Sequence, residues 1–189
     1  YQVEHNMKEV NAVKEADQLR DIPRYLAKHH SQREADVWEF GINVALRISD
    51  LLAIRFDDVD GEELQISGQK TRRTRVVRPK TKAKQVKGRR QSDRPDNVNL
   101  FQSVSRNRST ARPVTRQHIS TAFNDVGTIV GVHLNTHSMR KTRGYHLHKS
   151  GQSIEVICKM LNHSSPSVTM RYIGIDADDV KKTYTNLVL

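Results

Sequence analysis

Six side chains of this 189-residue chain have types and spacings that suit cleavage of a phosphodiester without a metal ion. His137 and Arg140 are three residues apart in a predicted helix, so they share one face. Tyr172 follows His163 by nine residues within the stretch LNHSSPSVTMRYIG. The six residues are Arg47, Lys70, His137, Arg140, His163 and Tyr172.

Each of these residue types has a distinct task in such a reaction. Arginines bind the non-bridging phosphate oxygens with a rigid fork of donors and offset charge in the transition state. A lysine can protonate the departing sugar oxygen, and a histidine can help to take the tyrosine proton. Only about one tyrosine in a thousand is ionised at neutral pH, so the nucleophile needs cationic surroundings.

Taken singly, each residue has a commoner structural role. Arg47 in ALRISDLL could form a salt bridge at a helix end, and His163 could be a cap or a core group. Tyr172, between Arg171 and Ile173, could be half-buried packing. The order and spacing of the six together favour the catalytic interpretation.

The positive charge of the chain is concentrated in one segment. The net charge is +11, from 32 basic and 21 acidic residues. Residues 70–94 hold twelve Lys or Arg against one acid, so the remainder is balanced. Such a segment indicates a polyanion partner, although a solvated arm without a specific partner is the alternative. Since no aromatic residue lies within it, duplex phosphates are favoured over stacked single-stranded bases.

Other chemistries lack their sequence signals. The nine histidines form pairs without a carboxylate or cysteine at metal-ligand spacing, and HExxH and CxxC are missing. There is no glycine-rich phosphate loop and no GxSxG elbow. We therefore expect no metal and no cofactor. The single cysteine, Cys158, fits a reducing compartment, and no apolar run reaches membrane-spanning length.

The elements that must position these residues are mostly helical. Apolar spacing predicts helices over 8–30, with a kink or restart near Pro23 capped by Asp21, and over 33–46. The segments ELQIS and TRVV predict two strands around the turn GQKTRR. Residues 80–98 carry so few apolar groups that any helix there should pack weakly. The predicted caps of the remaining helices are Ser49, Thr115, Thr136, Ser153, Ser165 and Asp176.

With these motifs in view, the sequence resembles the catalytic domain of the tyrosine recombinases, the phage integrase family. ALRISDLLAIRFDDVD resembles the family's first arginine box, and GQKTRRTRVV its lysine-bearing β-hairpin. HSMRKTRGYHLHKSGQSIEVICKMLNHSSPSVTMRYI resembles its second box, and LFQSVSRNRSTARPVTRQHI its connecting segment. The implied fold is mainly α with a small antiparallel β-sheet (α+β), the DNA breaking-rejoining enzyme fold.

The resemblance assigns a role to each residue. It implies Arg47 and Arg140 as the phosphate clamp, Lys70 as the general acid and Tyr172 as the nucleophile. His137 would be the base or hydrogen-bonding partner, and His163 a further phosphate contact. Asp50 would support the site, and the implied DNA contacts are Arg72, Arg73, Arg75 and Lys141.

Three positions depart from the family pattern. Asn162 and Ala45 stand where the family usually has glycine, and Arg78 stands where a small apolar residue is usual. Lys70 is the least secure assignment, because Arg72 and Arg73 crowd the same turn.

The resemblance also implies an organisation and partners. Residues 1–175 would be the catalytic domain and 176–189 a C-terminal tail that packs on a neighbour, with the amino-terminal core-binding domain absent from this chain. The partners would be double-stranded DNA with a specific recombination site, further copies in a tetramer, and accessory DNA-bending proteins. No membrane is expected, and the location would be the cytoplasm of a bacterial or phage-infected cell, at the nucleoid.

The expected function is a site-specific recombinase of a phage or mobile element that works through a 3′-phosphotyrosine. Two alternatives stay open at this point. A DNA-relaxing or hairpin-forming relative would use the same residues, and a DNA-binding regulator would keep the fold without cleaving.

Overall fold

The computed structural model describes residues 11–59, 64–67, 74–77, 81–104 and 112–175. The predicted last helix after Asp176 and the tail 176–189 lie outside these ranges. Within them the chain is mainly helical, as predicted. The helices are α1 Ala16–His29, α2 Gln32–Val44, α3 Ile48–Leu52, the 3-10 helix Phe56–Val59, α4 Thr81–Asp93, α5 Arg116–Val130, α6 Ser138–Lys149, α7 Ile154–Leu161 and α8 Pro166–Ile173.

Two short strands lie between the 3-10 helix and α4. Strand β1, Leu64–Ser67, pairs antiparallel with β2, Thr74–Val77. The register places Leu64 opposite Val77 and Ser67 opposite Thr74.

Three of the predicted helix caps are confirmed. The hydroxyls of Thr115, Ser153 and Ser165 accept hydrogen bonds from the backbone N–H three residues later. Pro166 occupies the first turn of α8, where its missing N–H costs nothing.

The predictions at Ser49 and Thr136 are wrong. Helix α3 begins one residue before Ser49, with Arg47 as its N-cap. Helix α6 begins at Ser138 because the Asn135 side chain accepts from the His137 N–H at 2.7 Å. The Ser138 hydroxyl in turn accepts from the Asn135 N–H at 3.0 Å.

The predicted restart at Pro23 is wrong, because α1 continues as one helix through that residue. Asp21 lies inside the helix and binds Arg24 at 3.0 Å rather than capping a restart.

The main core lies between α1, α2, α5 and the segment around Phe101. Trp38 packs edge to face on Phe123 at 5.3 Å between ring centroids, and Phe40 packs on Phe101 at 5.7 Å. All four rings are buried. Such pairs add directional preference to the burial of large apolar area.

A second, smaller core lies under α8. It consists of Ala45, Ile157, Leu161 and Ile173. A Cβ added at Gly144 of α6 would lie 2.6 Å from the Ile173 Cγ2, so only glycine lets α6 and α8 approach this closely. This close approach fixes α8, and with it Tyr172, against α6.

The expectation that any helix in 80–98 packs weakly is wrong. Ala83, Val86 and Arg90 of α4 are buried. Arg89 forms an ion pair with the fully buried Asp36 of α2 and a second one with Glu39 at 2.9 Å. Charge complementarity with a distant helix thus replaces the missing apolar face, and part of the basic segment is engaged inside the protein.

Candidate active site

Arg47 is placed by a left-handed turn at the end of α2. Ala45 has φ 52° and ψ 34°, a conformation that few non-glycine residues adopt. Two residues later Arg47 is extended and is the N-cap of α3. The turn also directs the Ala45 carbonyl toward Arg140, whose Nη1 donates to it.

Arg140 is the best-enclosed cation of the site. It is only 3% exposed and projects from the first turn of α6. Besides the Ala45 carbonyl, its guanidinium binds the carbonyl of Leu161 at 2.7 Å. One side chain therefore joins the end of α2, the start of α6 and the end of α7.

His163 follows a second left-handed residue. Asn162 has φ 53° and ψ 53° and ends α7. Asparagine tolerates this conformation because its short polar side chain can bond locally, so it serves where the family usually has glycine. The His163 Nδ1 lies 3.0 Å from the Oγ1 of Thr169, a buried residue of α8.

Tyr172 lies on the last turn of α8 and is half-buried. Its hydroxyl is 3.5 Å from the His137 Nδ1, and its ring packs edge to face on His163 at 4.7 Å. The Lys141 ammonium lies 5.3 Å from the centre of the same ring. The tyrosine is thus enclosed by two imidazoles and a cation.

The electrostatics of the site shift two pKa values in opposite directions. Burial raises the pKa of Tyr172, and this outweighs the lowering by the charge and hydrogen bond of Arg140 and by the charge of Arg47. The pKa of His137 is lowered, first by partial removal of the ring from water. The positive charges that lower it further are Arg116, Arg140, Lys141 and Arg47, in that order. His137 is therefore neutral near pH 7 and can accept a proton, and the phenol holds its proton until a base removes it.

The structure brings most of the predicted catalytic residues together. Tyr172 contacts both histidines, and the charges of the two arginines act on it. Asp50 is buried in α3, and Lys141 lies beside the tyrosine ring. Lys70, Arg72, Arg73 and Arg78 lie outside the described residues, and of Arg75 only the backbone in β2 is described.

Two residues of the site were not singled out from the sequence. Arg116 follows the cap of α5, and its charge has the largest electrostatic effect on His137. Thr169 is three residues before Tyr172 and is bonded to His163. The i, i+3 spacing of Thr169 and Tyr172 on one helix face was the available sequence signal for the threonine. No sequence signal pointed to Arg116, because its neighbour His137 lies at the start of a different helix, α6.

The family model described as the phage integrase family matches residues 11–178. The chain belongs to the phage integrase family. The prediction of the family is confirmed, and with it the function class, a site-specific tyrosine recombinase that transfers DNA strands.

Individual relatives of this integrase-family chain are named as integrases or tyrosine recombinases. The "Probable integrase/recombinase YoeC" of Bacillus subtilis (strain 168) is 33% identical over 177 residues, which cover 93% of this chain and 95% of that protein. "Tyrosine recombinase XerC" of Neisseria meningitidis serogroup B (strain ATCC BAA-335 / MC58) is 24% identical over 172 residues, 89% of this chain and 56% of that protein. The chain thus spans nearly all of one relative and about half of the other.

Solved structures share the fold. The crystal structure of XerA recombinase has a TM-score of 0.71 at 19% identity, over 94% of this chain and 64% of that one. XerH recombinase bound to a palindromic difH substrate, in a post-cleavage complex, has a TM-score of 0.68 at 13% identity, over 94% of this chain and 54% of that one.

Metal-site clusters and membrane-spanning helices are both missing from the described part of this recombinase. No group of three or more His, Cys, Asp or Glu side chains that could hold a metal ion occurs among the described residues. In the same ranges, no helix is long and apolar enough to span a membrane.

Proposed function

We propose that this domain cleaves and rejoins duplex DNA at a specific site through a 3′-phosphotyrosine on Tyr172. The observation that carries the proposal is the placement of the tyrosine hydroxyl, 3.5 Å from the neutral His137 and hydrogen-bonded to the buried Arg140. Contacts between catalytic groups are often long before substrate binds, so 3.5 Å is compatible with proton transfer.

In the cleavage step the Tyr172 oxygen attacks the phosphorus, and the bond to the 5′-oxygen of the next nucleotide breaks. The proton of the phenol passes to His137. Lys70 donates a proton to the departing oxygen, so the step releases a 5′-hydroxyl. The new phosphodiester joins the DNA 3′-end to the tyrosine and keeps the energy of the original ester. A 5′-hydroxyl from either DNA site then reverses the step, which requires no metal and no cofactor.

Arg47 and Arg140 bind the non-bridging oxygens. Arg140 is held by two backbone carbonyls before DNA arrives, so it needs little reorganisation when charge develops on the phosphate. His163 adds a further contact to the same phosphate. Asp50 is buried in the turn of α3 that follows Arg47 and supports that turn.

The pair of strands β1 and β2 fits the small antiparallel sheet that this proposal needs. We place Lys70 in the turn between them, together with Arg72 and Arg73, which contact DNA phosphates beside the scissile one. Arg75 of β2 and Lys141 are further DNA contacts.

The remaining organisation follows from the reaction. Residues 1–175 form the catalytic domain, and the tail 176–189 packs on a neighbouring copy. Exchange between two DNA sites requires four protomers, and DNA-bending proteins would bring the sites together. The place of action is the cytoplasm, at the nucleoid, of a bacterial or phage-infected cell. XerH and a lambda integrase dimer are each described bound to DNA, which supports duplex DNA as the partner, and the dimer supports self-association on it.

The test uses a pool of nicked duplexes of randomised sequence as suicide substrates. The wild-type chain should give a protein–DNA adduct on a denaturing gel, and the modified peptide should contain Tyr172. Tyr172→Phe removes one hydroxyl and should abolish the adduct while DNA binding is kept. Tyr145→Phe is the matched control, since Tyr145 is a half-buried tyrosine of the adjoining helix α6.

Adduct formation by Tyr172→Phe at the wild-type rate would refute the assignment of the nucleophile. Duplex binding by the wild-type chain without any adduct would favour the non-cleaving regulator. Relaxation of a supercoiled plasmid without exchange of strands between two duplexes would favour the DNA-relaxing relative.

A further inference from the structure

Thr169 has the contacts of a residue that controls the protonation of His163. It lies on α8, one turn before Tyr172, and its side chain is fully buried. Its hydroxyl oxygen has two partners. One is the carbonyl oxygen of Ser165 at 3.2 Å, and the other is the Nδ1 of His163 at 3.0 Å.

The hydroxyl of Thr169 can donate to only one of these two partners and must accept from the other. A carbonyl oxygen can only accept, and at 3.2 Å the single hydroxyl proton of Thr169 fits donation to the Ser165 carbonyl, beside the backbone N–H of Thr169. The contact to His163 must then use a lone pair of the hydroxyl oxygen. In that arrangement the lone pair needs a donor, which is Nδ1 of the imidazole when it carries the proton.

We propose that Thr169 is a positioning residue that accepts from Nδ1–H of His163, so that Nε2 faces the scissile phosphate and donates to it when the ring is an imidazolium. This inference rests on the function proposed above for His163. The same logic operates where the second nitrogen of a catalytic or metal-bound histidine is fixed by a hydrogen bond.

The consequence concerns the charge state in which His163 can serve the phosphate. In the neutral ring with the proton on Nδ1, Nε2 is an acceptor and cannot bind a phosphate oxygen. In the imidazolium ring both nitrogens donate. His163 therefore contributes to cleavage as a cation, and its contribution decreases as the pH rises and the ring loses its proton.

The surroundings of His163 contain several groups that could also titrate or carry charge. Tyr172 of α8 packs on its ring, and the Cys158 thiol of α7 donates to its backbone carbonyl. On the side of α6 stand His137, Arg140 and Lys141, all beside Tyr172, and Arg47 acts from the start of α3. The test must therefore observe the His163 ring itself.

The first measurement is the tautomer of His163 in the wild-type chain without DNA, from the ¹⁵N chemical shifts of the ring at a pH where it is neutral. We expect a protonated Nδ1 and a bare Nε2. Thr169→Ser keeps the hydroxyl and should show the same tautomer. Thr169→Val keeps the shape but removes the acceptor, and should give a mixture with Nε2–H.

The second measurement is the pH profile of adduct formation on a nicked duplex selected with the wild-type chain. Thr169→Val should be about 2- to 10-fold slower at its best pH, the rate equivalent of one hydrogen bond. It should also lose rate less steeply at high pH, because its neutral ring can present Nε2–H. Thr169→Ser should restore the wild-type profile.

Thr142→Val is the matched control. Thr142 is a buried threonine of α6 whose hydroxyl accepts from the Val13 N–H at 2.9 Å, away from His163. Its loss should lower stability without changing the His163 tautomer or the shape of the pH profile. A Thr169→Val effect of only this kind would make the threonine merely structural and overturn the proposal.

A wild-type His163 with the proton on Nε2 would overturn the proposal directly, even if Thr169→Val fails to fold. The tautomer is measured without DNA, so it is independent of the proposed cleavage. If Tyr172→Phe formed adducts, the catalytic assignment would fail while the tautomer result stood. If the tautomer were wrong but Tyr172→Phe were inactive, only the inference about Thr169 would fail.

Discussion

Substitutions of the two arginines proposed as the phosphate clamp should differ in their effect on stability but not in their effect on cleavage. Both have the same proposed task on the DNA. Arg140 is buried and binds two backbone carbonyls, whereas Arg47 is half-buried at the start of α3. We expect Arg140→Ala to impair both folding and chemistry, and Arg47→Ala to impair mainly chemistry.

The magnitudes follow from the partners. Removing Arg140 leaves the carbonyls of Ala45 and Leu161 without their donor inside the protein, and each such loss costs about 1–3 kcal/mol. The free energy of unfolding should therefore decrease by about 2–6 kcal/mol, a large part of the roughly 5–15 kcal/mol of a typical domain. Arg47→Ala should cost less than about 1 kcal/mol, as is usual for partly hydrated charged side chains.

The effect on chemistry should be similar for both. Loss of one preorganised donor to a developing charge costs roughly 100- to 1000-fold in rate. Arg140→Lys is the informative intermediate, because its ammonium keeps the charge but lacks the planar fork that spans two carbonyls. It should lose about 1–3 kcal/mol of stability, the cost of one unsatisfied carbonyl.

The assay pairs urea denaturation with single-turnover adduct formation on a nicked duplex. Cleavage rates are divided by the folded fraction at the assay temperature, so that unfolding does not imitate a chemical defect. Equal losses of stability in Arg140→Ala and Arg47→Ala, within about 1 kcal/mol, would refute the structural half of the argument. Cleavage within threefold of wild type after this correction would remove that arginine from the clamp.

Three further predictions concern His137, Glu34 and Lys70. The pKa of His137 is lowered, so the rise of the adduct-formation rate with pH should have its midpoint below pH 6.5. Arg116→Gln should move that midpoint upward, and a pH–rate profile without this shift would contradict the prediction. Burial raises the pKa of Glu34, but the hydrogen bonds from Ser31 and Arg33 outweigh burial, so the pKa lies below its ordinary value of 4.5. Glu34→Gln should thus cost about 1–3 kcal/mol at pH 7, and in urea titrations this deficit should shrink as the pH falls below 4.5. Lys70→Ala should be slow on normal DNA but recover on a substrate with sulfur as the bridging 5′-atom, which hardly needs a general acid; no recovery would place the acid elsewhere.

Local signals in the sequence predicted much of the framework. The caps Thr115, Ser153 and Ser165 were identifiable because a cap depends on its own hydroxyl and an N–H three residues later. Thr136 failed because the neighbouring Asn135 competes for the same helix end, and only the three-dimensional turn decides between them.

Interactions between distant segments could not be predicted in the same way. Helix α4 has few apolar residues, and its partner Asp36 lies 53 residues before Arg89. No local pattern links the two. The same holds for the acceptors of Arg140, which come from the ends of two other helices, and for the effect of Arg116 on His137.

The proposed catalytic residues could be identified in the sequence as a set, whereas the turns that position them could not. Two non-glycine residues of the described chain adopt the left-handed conformation, Ala45 and Asn162. Ala45 stands two residues before Arg47 and Asn162 directly before His163, and each ends a helix. The Ala45 carbonyl and the carbonyl before Asn162, that of Leu161, both accept from Arg140. The strain of about 1–2 kcal/mol for alanine in this conformation is offset by that shared donor. One buried arginine thus stabilises both turns, which explains how the site tolerates alanine and asparagine where the family usually has glycine.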